Sequence, residues 1–140
     1  MHHSMRFLIC LLAVVLCVSG CKKKIEAVQE DLLVKLIVDG QWTVTEYKKG
    51  STDVTSGFSP YSFQFKKNFT VDAINNTAVE NTGIWNGSFA TRTITSNFPN
   101  PNPILVLLNG TWRVTDSGLT YVESKQTVNN ESCFLRLDKK

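Results

Sequence analysis

At 140 residues, with 15 basic against 12 acidic side chains and a formal charge of +3, the chain is sized for one domain. Removing Arg6 with a cleaved leader lowers the excess to two, which the lysines at 22, 23 and 24 account for. That leaves no basic face for nucleic acid and no acidic tail.

Residues 1–20 have the layout of a secretory signal peptide: Arg6, an apolar run from Phe7 to Val18, then small Ser19 and Gly20. The run is about 12 residues, and crossing the hydrocarbon takes roughly 20. Val18-Ser19-Gly20-Cys21 resembles the bacterial lipobox, in which the cysteine thiol takes a diacylglyceryl group, the chain is cut before it, and the new amine is acylated, typically with palmitate. Cys10 and Cys17 are poor acceptors because Ile9 and Leu16 are too bulky before the cut. The competing reading is an ordinary signal cleavage site with Cys21 merely nearby. Two or three acyl chains anchor a protein stably where one does not. Lys22, Lys23 and Lys24 would add on the order of 1 kcal/mol each beside anionic headgroups, or serve only as a solvated tether. The resulting organisation is a leader over 1–20, a lipidated cysteine, basic tether and amphipathic helix over 21–39, and a β domain over 40–140.

In the tether segment Ile25, Val28, Leu32, Leu33, Leu36 and Ile37 recur at helical spacing, which predicts a helix over 25–38 packed by its stripe onto the domain. Gly40 stops it. Beyond Gly40 the period changes to two. Strands are expected over 41–48, 61–65, 69–73, 84–89, 90–95, 112–114, 119–123 and 133–137, joined by turns at Lys49-Gly50-Ser51, Asn75-Asn76, Asp116-Ser117-Gly118 and Asn129-Asn130. Eight short antiparallel strands are the number at which a sheet closes into a small up-and-down barrel; a two-sheet sandwich ranks second. Ile104 to Leu108 reads as a ninth strand ending at Asn109-Gly110, or as a helical turn started by Pro103 and stopped by Gly110.

Gly40-Gln41-Trp42 on the first strand, with Arg136 on the last, resembles the G-x-W…Arg pairing of lipocalins and related calycin barrels. That resemblance implies Gly40, Trp42 and Arg136 as barrel closure, with the arginine stacked across the tryptophan. The order of segments is similar to the lipocalin-like lipoproteins of Bacteroidetes-type bacteria: lipobox, helix, G-x-W, F-x-F (Phe63-Gln64-Phe65), a second G-x-W (Gly83-Ile84-Trp85) and W-x-V (Trp112-Arg113-Val114). The family's short helix before W-x-V favours the helical reading of Ile104 to Leu108. Acidic residues usual in that segment are missing here.

Chemistry is sparse. His2 and His3 belong to the leader, so the mature chain has no histidine for proton transfer or nucleophile activation. No acid pair or metal-ligand spacing stands out, so neither an enzyme nor a metal or other cofactor is expected. With two cysteines in the leader and Cys21 lipidated, Cys133 stands alone and is expected as a small buried hydrophobe. Trp42, Phe63, Phe65, Trp85, Trp112 and Tyr121 are expected inside the barrel as an aromatic lining for a small apolar or amphipathic ligand; alternatively they fill a solid core. Arg92, Arg113 and Glu123 fall on expected strands, where alternation turns one or two inward. Two functions stay open: a membrane-tethered carrier or sensor, or a solid barrel that engages another envelope protein as scaffold or inhibitor. The location expected is the outer membrane facing the periplasm, anchored through acyl chains on Cys21, with the cell surface as the alternative.

Overall fold

The computed structural model describes residue 24 and residues 27–140. The signal peptide, Cys21, Lys22 and Lys23 lie outside the described residues. Helix α1 covers 27–38, and the strands that follow are β1 (Trp42–Lys49), β2 (Thr52–Asp53), β3 (Tyr61–Phe65), β4 (Thr70–Asn75), β5 (Ala78–Ser88), β6 (Thr93–Asn97), β7 (Gly110–Ser117), β8 (Tyr121–Val128) and β9 (Glu131–Lys139). Apart from the two-residue β2, neighbours in sequence are neighbours in space, and β9 returns to pair with β1. The result is a closed, eight-stranded, antiparallel up-and-down barrel. Closure removes the unpaired edges of an open sheet.

The closing ladder is uneven. β1 pairs with β9 from one end to the other, from Trp42 opposite Lys139 to Lys49 opposite Cys133, with one register shift between Val44 and Glu46. β1 and β3 share a single pair, Trp42 opposite Phe63. The rest of that edge of β1 is covered by the 52–58 segment. Val54 donates its N–H to the Tyr47 carbonyl (3.0 Å), and the Thr55 hydroxyl accepts the Tyr47 N–H (2.9 Å).

Alternation along each strand turns one row inward. Trp42, Phe63, Phe65, Val71, Ala73, Trp85, Trp112, Cys133 and Leu135 are buried there. Two short 3-10 turns plug one barrel end. Thr55–Phe58 supplies Phe58, stacked 5.3 Å from the Tyr47 ring, and Leu105–Leu108 supplies buried Leu105 and Leu108. Ile104 to Leu108 is therefore helical, not a ninth strand: its apolar run does not alternate because it caps a core from above.

The helix α1 crosses the opposite end. Three bonds fasten it: Trp42 Nε1 to the Ile37 carbonyl (2.8 Å), Gln64 Nε2 to the Val38 carbonyl (3.2 Å), and the Phe89 N–H to Glu30 Oε1 (3.2 Å). Ile37 is buried, while Leu33, Val34 and Val38 pack partly against the core. The expected stripe is only half used, since Val28 and Leu32 point away from the barrel and are 58% and 59% exposed.

The two G-x-W glycines have different reasons. Gly40 ends α1 at φ +78°, where only glycine is unstrained, and nothing crowds it. Gly83 has an extended backbone, but a Cβ there would come within 2.6 Å of the Asn97 carbonyl oxygen and 2.9 Å of Phe98. Its role is close approach to the end of β6.

Candidate functional site

Two spaces meet at the α1 end. Inside the barrel a cavity of about 40 Å³ is lined by Phe63, Phe65, Ile94, Trp112, Ser96 and Ser124 among others. One water needs roughly 10–15 Å³, so the interior has room for a few water-sized groups, far less than the roughly 300 Å³ or more of a small-molecule pocket. Under α1 lies a far larger cleft of about 650 Å³, walled by Leu33, Leu36 and Ile37 on one side. Trp42, Ile94, Val114 and Val122 form its floor on the barrel rim. Phe89 and Arg92, from the β5–β6 turn, complete it, and Arg92 sits at φ +54°. Its lining is chiefly apolar, and its charged members are Glu30 and Arg92. Sites for small ligands span roughly 300–1,000 Å³. Ile94 and Val122 line both spaces.

Of the aromatics expected inside, five are buried: Trp42 (2% exposed), Phe63, Phe65, Trp85 and Trp112. Each indole N–H is satisfied by a carbonyl: Ile37 for Trp42, Lys66 for Trp85 and Leu108 for Trp112. Trp42 lines the cleft, and Phe63, Phe65 and Trp112 line the small cavity. Tyr121 is not among them. On β8 it is Val122 and Ser124 that face inward, so Tyr121 and Glu123 fall on the outer face. There the guanidinium of Arg136 lies 4.6 Å above the Tyr121 ring, and the Tyr121 hydroxyl donates to Asp116.

Arg136 belongs to this outer cluster. Its Nε and Nη2 fork onto Asp138 at 2.9 and 3.1 Å, and Nη1 reaches Glu123 at 2.9 Å. Asp138 also accepts from the Thr45 hydroxyl. The Arg136 fork holds the Asp138 carboxyl below the usual carboxylate range, and Asp138, ahead of Glu123, holds the guanidinium above its ordinary value. In register Arg136 stands opposite Glu46, several residues from Trp42. The cation over Trp42 is Lys139, its Nζ 5.3 Å from the ring centroid. The structure thus gives Lys139 the place that the resemblance assigned to Arg136, because 135, 137 and 139 face inward on β9 and 136 does not.

The other charged candidates also face outward or leave the strands. Arg113 is exposed beside inward Trp112. Arg92 lies in a turn, not on a strand, and periodicity alone had no signal for its place on the cleft. Phe69, read as the start of a strand, is a turn residue at φ +63°, its ring 5.4 Å from Trp85. Cys133 is buried and 1% exposed. Burial, with Cys133 adjacent, raises the Tyr47 phenol above its ordinary value. Among the described residues no group of three or more His, Cys, Asp or Glu could hold a metal ion, and no helix is long and apolar enough to cross a membrane.

Fold and site together define a small closed antiparallel barrel with a helix laid over one mouth. No family model matches the chain, and no curated protein matches it. It is similar in structure to a DUF4847 family protein from Bacteroides vulgatus ATCC 8482, solved by crystallography, with a TM-score of 0.55 and 13% identity over 77% of this chain and 97% of that one. At that identity the likeness extends to the fold.

Proposed function

We propose that this is a lipid-anchored envelope protein, held to the outer membrane through acyl chains on Cys21 and facing the periplasm, whose work is binding and not catalysis. The ligand is a small apolar or amphipathic molecule seated in the cleft beneath α1, not in the barrel interior. One contrast carries the reading: about 650 Å³ of largely apolar space at the mouth against about 40 Å³ inside. The lipobox-like Val18-Ser19-Gly20-Cys21 supports the address, and a mature chain without histidine supports binding over proton-transfer chemistry.

The packed interior favours the second reading in one respect, since a barrel filled by its own side chains needs no ligand. In that case its loops engage another envelope protein. Native mass spectrometry of the full chain purified from its own host separates the two. A bound mass of a few hundred daltons, lost on Leu33→Trp, which fills the cleft, is the expected result. Absence of any adduct, with no binding of a dansylated undecanoic acid, would leave the interaction module.

A further inference from the structure

The end of the barrel that carries α1 leaves several large apolar side chains uncovered close to one another. Val28 and Leu32 on α1, Phe89 in the β5–β6 turn and Leu119 in the β7–β8 turn are 58%, 59%, 48% and 77% exposed. Leu32, Phe89 and Leu119 share one shallow depression along the helix with Leu36, Lys35 and Lys67. Several large apolar groups gathered in one place mark a contact surface, whereas scattered ones do not. The acids beside it are matched internally: Asp31 pairs with Lys35 at 3.3 Å and Asp39 with Lys139 at 3.5 Å.

The length of chain ahead of α1 decides what covers this surface. Five residues separate Cys21 from residue 27, a lead that can span at most about 20 Å. A domain tied to acyl chains by so short a lead must present its α1 end to the bilayer, with the Thr55–Phe58 and Leu105–Leu108 plugs pointing away. The lead itself carries Lys22, Lys23 and Lys24, suited to anionic headgroups. Amphipathic helices at such surfaces sink their apolar face roughly 5–10 Å into the headgroup–acyl boundary.

We infer that Val28, Leu32, Phe89 and Leu119 form a bilayer-contact surface that seats the barrel, α1 end down, on the membrane that anchors it. The inference rests on lipidation at Cys21 and adds an orientation to it. Phe89 and Ser117 line both the depression and the cleft, so the ligand cleft borders the lipid phase and its occupant enters from there.

The test uses the full chain carrying Leu119→Trp, processed and lipidated in its own host, then reconstituted into phosphatidylethanolamine–phosphatidylglycerol vesicles with brominated acyl chains. The native tryptophans are 2–3% exposed inside the barrel, so the wild-type chain supplies the baseline. Emission from the added tryptophan is expected to fall by about a third or more relative to unbrominated vesicles, as its depth at the acyl boundary requires. Val106→Trp, at the plugged end and 46% exposed in the native chain, is expected to show no added quenching. Flotation with the vesicles on a density gradient reads the anchor separately. A chain that floats without Leu119→Trp quenching overturns the inference while sparing the anchor, and leaves the patch to a protein partner or a second copy. A chain that does not float overturns both.

Discussion

The Lys139 ammonium lies 5.3 Å from the centroid of the Trp42 ring, across the first and last strands of the barrel. Trp42 meanwhile donates its indole N–H to the Ile37 carbonyl, so one residue joins strand closure to helix docking. Replacing Lys139 by Gln removes the cation–π contact and is expected to cost about 0.5–1 kcal/mol; Lys139→Arg should retain it. Trp42→Phe should cost more, about 1–3 kcal/mol, because a carbonyl at the end of α1 is left without its donor. Chemical denaturation measures both. Hydrogen exchange on Trp42→Phe should show α1 amides accelerated more than those of β8 and β9; uniform acceleration would contradict this division.

Gly83→Ala places a methyl against backbone of β6, which cannot swing aside as a side-chain tip can. The expected loss is about 1–3 kcal/mol from overpacking. Gly40→Ala meets no neighbour but must hold φ +78°, a strain of roughly 1–2 kcal/mol. Thermal unfolding of the two variants, with Gly40→Asn included, tests the distinction. Asn tolerates positive φ, so Gly40→Asn should recover part of the Gly40→Ala loss.

Asp72 is 8% exposed, with Lys66 Nζ at 2.6 Å and the Thr82 hydroxyl at 2.8 Å. The Lys66 hydrogen bond, opposed by burial and aided by Thr82, holds its carboxyl below the usual range. A carboxylate depressed in the folded state contributes stability above its unfolded pKa, near 3.9, and loses it as pH falls through the folded value. Stability should therefore fall below about pH 4. Asp72→Asn is expected to cost about 1 kcal/mol at pH 7, a figure lowered by the exposure of Lys66. Its penalty should shrink toward pH 2.5. Urea midpoints across pH 2.5–7 check this; a penalty constant with pH would assign Asp72 a purely steric role.

Cys133, 1% exposed and adjacent to Tyr47, should resist iodoacetamide in the folded chain and react fully in guanidinium. Cys133→Ala should leave α1 docking unchanged. Modification at a rate close to that of a free thiol would show that β9 opens far more readily than a continuous ladder permits.

Much of the barrel was legible because alternation is a local signal. Trp42, Phe63, Phe65 and Trp112 each sit between polar neighbours, and each points inward. Which parity faces inward is harder to read. Side-chain parity is set by register and bulges, and those depend on the partner strand. A bulge between Val44 and Glu46 shifts β1, and another between Val114 and Asp116 shifts β7; neither is written in the residues themselves. Tyr121 was placed inward although Val122 and Ser124 take the inward row of β8, and Arg136 was placed by resemblance to the G-x-W…Arg pairing, although Cys133 and Leu135 take the inward row of β9. The mouth cleft was less legible still. Its walls come from α1, from a turn containing Arg92 at positive φ, and from rim residues far apart in sequence, so no single segment carries its pattern.

The single rung between β1 and β3, Trp42 opposite Phe63, gives the barrel a mechanical asymmetry. Every other seam is a ladder of four or more residue pairs. This seam is the one expected to part first, with the Ser62–Gln41 side-chain hydrogen bond as its other direct tie. Since α1 is hydrogen-bonded to Trp42 on one side of the seam and to Gln64 on the other, lifting the helix loosens it. Anything that prises α1 from the mouth widens the whole can.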